Sequence, residues 1–355
     1  MQKGPIHKIY DMTEEAKAES LRTEADLIRY FTSAAKTTTN ESVITPPGDD
    51  AAVLAPTPGM ELINTVDVLI EGVDFSFAYA RPDDVGYKSV MVNLSDIAAM
   101  RGRARWITIG LGLKRVEVDL VEGLTAGFLQ ACKEGNVALV GGDITSAPCL
   151  MLSVNVVGEV PPGRAVTRAG AKDGMLIAVT GPLGGSYAGY KLLTVKDRPN
   201  IRKRVLFTVR RAHLRPHARF DIVPALEKVE VGAMIDISDG FLVDLKHILT
   251  ASGVGGEVNI PSIPILPEAV ETAQAMGENA IKWALRGGED FELILCLEEM
   301  EYEKLRCLFP AERCPIVVGR IKADHPGELR FLDERGKLVD YTEEGYDHFT
   351  PWEVV

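Results

Sequence analysis

Acidic residues stand at the ends of apolar runs in five places along this chain: Gly48-Asp49-Asp50, Asp67, Asn93-Leu94-Ser95-Asp96, Gly141-Gly142-Asp143 and Asp236-Ile237-Ser238-Asp239-Gly240. Carboxylates converging from separate segments repel one another and are costly to desolvate, so a hard cation such as Mg²⁺, together with phosphate oxygens, is their natural counterpart. This is the outline of a phosphoryl-transfer site, where catalysis comes mainly from positioning and charge. Each motif also has a plainer reading. Asp49 and Asp50 follow Pro46-Pro47-Gly48 and can be an acidic surface turn, and Gly141-Gly142 can be a tight turn instead of a close approach for phosphate. Ser89, Asn93 and Asp96 share one helix face, which can hold a metal or be simply solvated. Asp67 interrupts Val66-Asp67-Val68-Leu69-Ile70, where an unpaired carboxylate would be expensive, so it reads as a metal position or one half of a salt bridge. Asp239 opens a helix whose first N–H groups are free to organise ligands, whereas Asp244, five positions on, reads as a solvent residue.

Positioning these groups requires alternating strands and helices. The pattern predicts a helix over Thr23 to Phe31, strands over Ala51 to Leu54 and Glu61 to Asp67, a helix over Asp84 to Met100, and a strand over Trp106 to Leu111. A helix over Asp119 to Glu134 and strands over Asn136 to Val140 and Leu150 to Val157 follow. Pro161-Pro162-Gly163 marks a boundary between residues 1–162 and 163–355. Beyond it, strands over Met175 to Thr180 and Ala233 to Ile237 flank a basic stretch around 195–215, which reads as solvated surface ahead of an acceptor lid or a dimer contact. Ser238 is a candidate N-cap for a helix ending near Ser252-Gly253, followed by a strand-like Glu289 to Leu295, a helix over Glu299 to Phe309 and a strand over Ile316 to Gly319. The fold class is therefore α/β (α+β), with an N-terminal mixed sheet covered by helices and a C-terminal α/β layer structure.

At 355 residues the chain is long enough for two domains, and 51 acidic against 39 basic residues give a net charge of −12, which disfavours a nucleic-acid partner. Five cysteines without CxxC spacing point to buried thiols, and no run is long enough to span a bilayer. A cytoplasmic location is the expectation.

In order and spelling the motifs resemble the thiamine-monophosphate kinase family, within the ATP-binding superfamily that includes aminoimidazole ribonucleotide synthetase. The resemblance runs through Gly48-Asp49-Asp50-Ala51-Ala52-Val53, Ile70-Glu71-Gly72-Val73-Asp74-Phe75, Gly86-Tyr87-Lys88, Asn93-Leu94-Ser95-Asp96, Gly141-Gly142-Asp143, Thr167-Arg168-Ala169-Gly170, Asp236-Ile237-Ser238-Asp239-Gly240, Gly287-Gly288-Glu289-Asp290 and Gly345-Tyr346-Asp347. It implies a two-domain aminoimidazole ribonucleotide synthetase-like fold, a homodimer paired through N-terminal sheets, and in-line, Mg²⁺-dependent transfer of the γ-phosphoryl group of ATP to thiamine monophosphate without a dedicated base. It further implies Asp49, Asp50, Asp67, Asp96, Asp143 and Asp239 as metal ligands, and Asn93, Gly141, Gly142, Asp143, Arg168 and Ser238 at the nucleotide. Gly72, Asp74, Phe75, Glu289 and Tyr346 fall at the acceptor. Three departures stand out: Asp74 where the family commonly has histidine, Ile144-Thr145-Ser146 in place of Thr-Thr-Arg, and Arg101-Gly102 in place of Gly-Ala. The competing readings are a related ATP-dependent enzyme with another acceptor and a non-catalytic nucleotide-binding regulator.

Overall fold

The computed structural model describes Leu21, residues 23–310 and residues 313–341, which divide into two compact units: residues up to 97 with 102–163, and residues 98–101 with 164 onward. The first unit comprises α1 (Glu24–Ala35), β1 (Val43–Thr45), β2 (Val53–Leu54), β3 (Glu61–Ile70), α2 (Pro82–Ala99, whose last two residues cluster with the second unit), β4 (Arg103–Leu113), α3 (Val118–Gly135), β5 (Ala138–Ser146) and β6 (Met151–Val160). Its four-stranded sheet has the order β3-β6-β4-β5, antiparallel except for the parallel β4–β5 pair, so it is mixed.

Period-two alternation decides what β3 presents. Ile63 and Leu69 are buried with Asp67 on the same side, across from Leu152 and Val154 of β6, while Leu62, Val66 and Val68 point outward and are about half exposed. The inner face receives α2: a Cβ added to Gly158 of β6 would stand 2.7 Å from Ile97 Cγ2. Nearly every residue from Asp84 to Ala99 is buried, so α2 is enclosed and is not an amphipathic surface helix. Its other neighbour is α3, and the two backbones touch. A Cβ on Gly86 would fall 2.3 Å from Leu124 O, and one on Gly127 would fall 2.3 Å from Asp83 O. The Gly86-Tyr87-Lys88 motif thus has a packing cause.

The second unit comprises β7 (Leu176–Val179), α4 (Gly185–Thr194), α5 (Lys203–Leu214), α6 (Val223–Leu226), β8 (Ala233–Asp236), α7 (Phe241–Ser252), β9 (Gly255–Asn259), α8 (Pro267–Met276), α9 (Ala280–Arg286), β10 (Leu293–Leu297), α10 (Glu299–Arg306), β11 (Ile316–Lys322), β12 (Leu329–Leu332) and β13 (Leu338–Val339). The sheet order is β13-β12-β9-β11-β7-β10-β8, with β12–β9 the parallel pair. Strands β7, β8 and β10 are buried at every residue because both faces are covered. Ile177, Val179, Ile235, Ile294 and Cys296 pack with Phe241, Leu245 and Ile248 of α7, while Ala178, Met234, Leu293 and Leu295 pack with Leu226 and Leu305. Each such large side chain contributes about 1.5–3 kcal/mol by leaving water.

Several elements differ from the sequence expectation. Strand β3 continues to Ile70, which places Asp67 inside a strand, and β5 runs through Gly141, Gly142 and Asp143 to Ser146 because pairing with β4 persists across the glycines. The basic stretch is not merely solvated: α5 buries Val205, Val209, His213 and Leu214 against α4 and α8. Arg101 adopts φ +60, the left-handed region that suits the glycine of the related pattern. Its buried guanidinium donates to the carbonyls of Arg164 (2.9 and 2.5 Å), Val229 (3.2 Å) and Leu226 (3.4 Å), bonds that offset the strain. Cys132 and Cys296 are buried thiols, each pushed up to about 12 by burial.

Candidate active site

In the first unit β3 and α2 form the acidic centre. Asn93 is fully buried, accepts the Asp67 N–H at 3.1 Å and donates its amide to Ser89 O at 3.1 Å, so it fixes the strand carrying Asp67 to the helix carrying Asp96. Ser89 donates to Gly86 O at 2.9 Å and is also fully buried. The Ser89–Asn93–Asp96 stripe is therefore no solvated face; its first two members are internal supports and Asp96 is its accessible end. Thr65 donates to Asp96 Oδ2 at 2.5 Å. Burial, then the negative charges of Asp96 and Asp74, push the Asp67 carboxyl up to about 7.

Asp74 closes the turn after β3. Its Oδ2 accepts the Ile70 N–H at 2.7 Å, while Ile70 O accepts from Val73 N and Asp74 N at 3.1 and 3.0 Å. A carboxylate can accept this strand-end N–H in two directions where the imidazole of the related motif has one donor and one acceptor. Gly72 has φ +86 and is exposed, whereas the Phe75 ring is buried edge-on against Phe77 at a centroid distance of 5.6 Å. Asp49 and Asp50 lie in the exposed β1–β2 loop, with Asp50 N donating to Asp49 Oδ1 at 2.8 Å. Asp143 is exposed on β5. A Cβ at Gly142 would lie 2.1 Å from Ile109 O, so that glycine is required by the sheet, while Gly141 has only an ordinary contact at 3.6 Å.

In the second unit the Ser238–Gly240 loop joins β8 to α7. The sequence offers Ser238 as N-cap, yet α7 begins at Phe241, Gly240 occupies the cap with φ +115, and no side chain of the cap residue bonds to the helix. The cap comes from inside the helix. Asp244 Oδ2 accepts the consecutive N–H groups of Ser238, Asp239 and Gly240, each at 3.1 Å, and Asp244 is 2% exposed. Asp244 is thus an anchor and not a solvent residue. Burial, then the charges of Asp236 and Asp239, push its carboxyl up to about 8 against the pull of those N–H bonds. An acidic residue in the first turn after a Gly N-cap is the signal that identifies it.

The Gly287–Phe291 segment clasps the same loop. Glu289 N donates to Ser238 O at 2.8 Å, Phe291 N donates to Ile237 O at 2.9 Å, and a Cβ on Gly288 would meet Ser238 O at 2.3 Å. Glu289 and Phe291 hold φ of +65 and +50, strain of the kind that persists where surrounding contacts over-determine the backbone. Asp290 accepts from Gly184 N (2.6 Å) and Ser186 N (3.0 Å) at the start of α4, and burial pushes its carboxyl up to about 7. The Thr167–Ala171 loop is held by Ser252 Oγ, which accepts from Gly170 N and Ala171 N at 3.1 Å each and donates to Arg168 O at 3.2 Å; the Arg168 side chain is exposed. Tyr346 lies outside the described residues.

The donor chemistry suits a divalent cation: carboxylate oxygens, with Asp67 held against the repulsion of Asp96 and Asp74. Among the described residues no group of three or more His, Cys, Asp or Glu side chains is arranged to hold a metal ion by itself. Mg²⁺ does not require one, since it is commonly held by one or two carboxylates with waters and substrate phosphates completing the octahedron.

Two α/β units, each built on its own sheet, define the class. The family model for the AIR synthase related protein N-terminal domain matches residues 48–160, and that for its C-terminal domain matches residues 172–331. A thiamine-monophosphate kinase of Salmonella typhimurium is 35% identical over 306 residues, 85% of this chain and 91% of the relative. The crystal structure of thiamine-monophosphate kinase from Stenotrophomonas maltophilia K279a aligns with TM-score 0.76 and 33% identity, covering 88% of this chain and 96% of that one. AaThiL complexed with AMPPCP and TMP aligns with TM-score 0.70 and 30% identity, covering 93% and 97%. The chain belongs to the thiamine-monophosphate kinase family, and it is an enzyme.

Proposed function

We propose that this chain phosphorylates thiamine monophosphate to thiamine diphosphate with ATP and Mg²⁺, by direct in-line transfer of the γ-phosphoryl group. The observation that carries this reading is the Asp67–Asp96 centre, tied together by Asn93, in a chain similar over 93% of its length to a protein complexed with AMPPCP and TMP. Asp67 and Asp96 would hold Mg²⁺, whose charge would offset that of the transferring phosphoryl group.

Asp67 and Asp96 are the leading proposed ligands, with Asp49, Asp50, Asp143 and Asp239 as the others. Asn93 acts through Asp67, whose backbone it holds, and Asp244 acts through Asp239 in the same way. The exposed Arg168 guanidinium and Ser238 are proposed to contact nucleotide phosphate, with Gly141 and Gly142 leaving room for it. Gly72, Asp74, Phe75, Glu289 and Tyr346 are the proposed acceptor residues. No general base is needed, because a phosphate monoester with a second pKa of about 6 presents an ionised oxygen near neutral pH.

We also propose that two copies pair through the first unit. The outward face of β3, with Leu62, Val66 and Val68 at 55%, 56% and 48% exposure, supports this reading.

The test incubates purified protein with ATP, MgCl₂ and either thiamine monophosphate or thiamine, and identifies products by mass. Thiamine diphosphate is expected from the monophosphate alone. Its absence while ATP is bound would refute the proposed reaction.

A further inference from the structure

Around the proposed acceptor residue Glu289 stand side chains to which the reaction scheme gives no part. His213, at the end of α5, is 5% exposed, and its Nδ1 lies 3.2 Å from Glu289 Oε2 and 3.1 Å from Ser186 Oγ. Its ring centroid is 5.8 Å from that of Tyr190 on α4. Tyr190 is in turn 6.1 Å from Tyr187, which meets Trp283 edge-on at 5.6 Å. Trp283, His213 and Ser186 are buried, whereas Tyr190 is 42% exposed and the Glu289 side chain 33% exposed. A packed base thus ends in two accessible groups, an aromatic ring and a carboxylate, both touching one imidazole.

A Ser–His–Glu nucleophile is excluded by the same geometry. Ser186 and Glu289 address the same ring nitrogen, so the imidazole cannot pass a proton from one to the other as a relay needs separate nitrogens, and Ser186 is fully buried. What the pair does instead is hold Glu289. The backbone of Glu289 is fixed from below by its bond to Ser238 O, and its carboxylate is fixed from the side by His213. An exposed ring with a fixed carboxylate is the complement of an aromatic cation, through cation–π attraction, stacking and charge neutralisation. An anion would be repelled by Glu289.

We propose that Tyr190 stacks on the cationic heteroaromatic part of the acceptor beside Glu289, and that His213 is the positioning residue that orients Glu289. This rests on the reading above, in which the acceptor is thiamine monophosphate, whose thiazolium and aminopyrimidine are such a ligand.

The experiment measures steady-state kinetics with ATP and thiamine monophosphate varied separately. Wild type is assayed first: if it makes no thiamine diphosphate, the function reading fails and not this one. Tyr190→Ala is expected to raise the KM for thiamine monophosphate about tenfold while the KM for ATP stays within about twofold, and Tyr190→Phe is expected to restore the wild-type value because the ring is kept. His213→Gln is expected to show the same split between the two KM values. Because His213 is buried and its variant can fold poorly, the half-exposed Tyr190 carries the decision. An unchanged KM for thiamine monophosphate in Tyr190→Ala, or an equal rise in both KM values, overturns the proposal.

Discussion

At the residue scale, the side chains proposed to do the chemistry are held by others whose types gave little warning. Asp244 is the clearest case. Three consecutive N–H groups converge on one of its oxygens, so the loop carrying Ser238 and Asp239 is shaped from within α7. Removing that acceptor takes the partner from three N–H groups, of which that of Gly240 is buried, at a cost of about 1–3 kcal/mol. If Asp239 binds Mg²⁺, Asp244→Ala should raise the Mg²⁺ concentration for half-maximal turnover about tenfold, with a smaller loss for Asp244→Asn, whose amide oxygen can still accept. Metal titration of initial rates checks this; an Asp244→Ala enzyme with the wild-type Mg²⁺ dependence would show the loop needs no anchor. Asp67 gives a parallel expectation. Asp67→Asn should sharply reduce Mg²⁺-supported turnover and leave the fold intact, since the Asn93 bond uses its backbone and not its carboxylate. Circular dichroism beside the same rate assay separates the two effects, and an undiminished rate would remove Asp67 from the ligand set.

At the scale of elements, the glycines of α2 and α3 decide how closely the helix bearing Asp96 can approach its neighbour. Gly86→Ala would put a methyl carbon 2.3 Å from Leu124 O, and because the obstacle is backbone the helices must separate. The expected loss is about 1–3 kcal/mol, read as a lower midpoint in denaturant unfolding, and a midpoint equal to wild type would mean the helices already have slack. The sequence made the outlines of α2, β4, α3, β6 and β8 legible because each carries an uninterrupted apolar pattern. It stopped β3 at Asp67 and β5 at Gly141 because a carboxylate and two glycines read locally as strand ends, while pairing with β6 and β4 carried both strands on. Asn93 was legible as a polar group facing the right way, but not as a buried brace, since burial depends on α3 and the sheet closing around α2. His213 and Tyr190 were not legible at all. His213 belongs to a basic stretch whose charges suggest solvent, Tyr190 stands on α4 just before it, and only the pairing of α4 with α5 brings the two rings together.

At the scale of the whole molecule, β3 serves two purposes at once because successive residues point to opposite faces. Asp67 faces inward toward α2, and Val66 and Val68 on either side of it face outward with Leu62. These three apolar side chains lie on the strand at the sheet's edge, an arrangement that invites association unless it is covered. If a second copy covers it, placing a charge there should break the dimer without touching the inward face. Leu62→Lys combined with Val68→Lys is the appropriate variant, since it leaves Asp67 and its bond to Asn93 in place. Light scattering coupled to gel filtration should report a dimer for wild type and a monomer for the variant, with far-UV circular dichroism unchanged. A variant that stays dimeric, or a wild type that is monomeric at micromolar concentration, would place the interface elsewhere or remove it. The rate then carries a second result. Because the two faces share one strand, loss of the partner should free β3 to fluctuate and loosen Asp67, lowering turnover more than the inward contacts alone would suggest. Hydrogen exchange at the β3 amides, faster in the monomeric variant than in wild type, is the measurement that ties the outer face to the inner one.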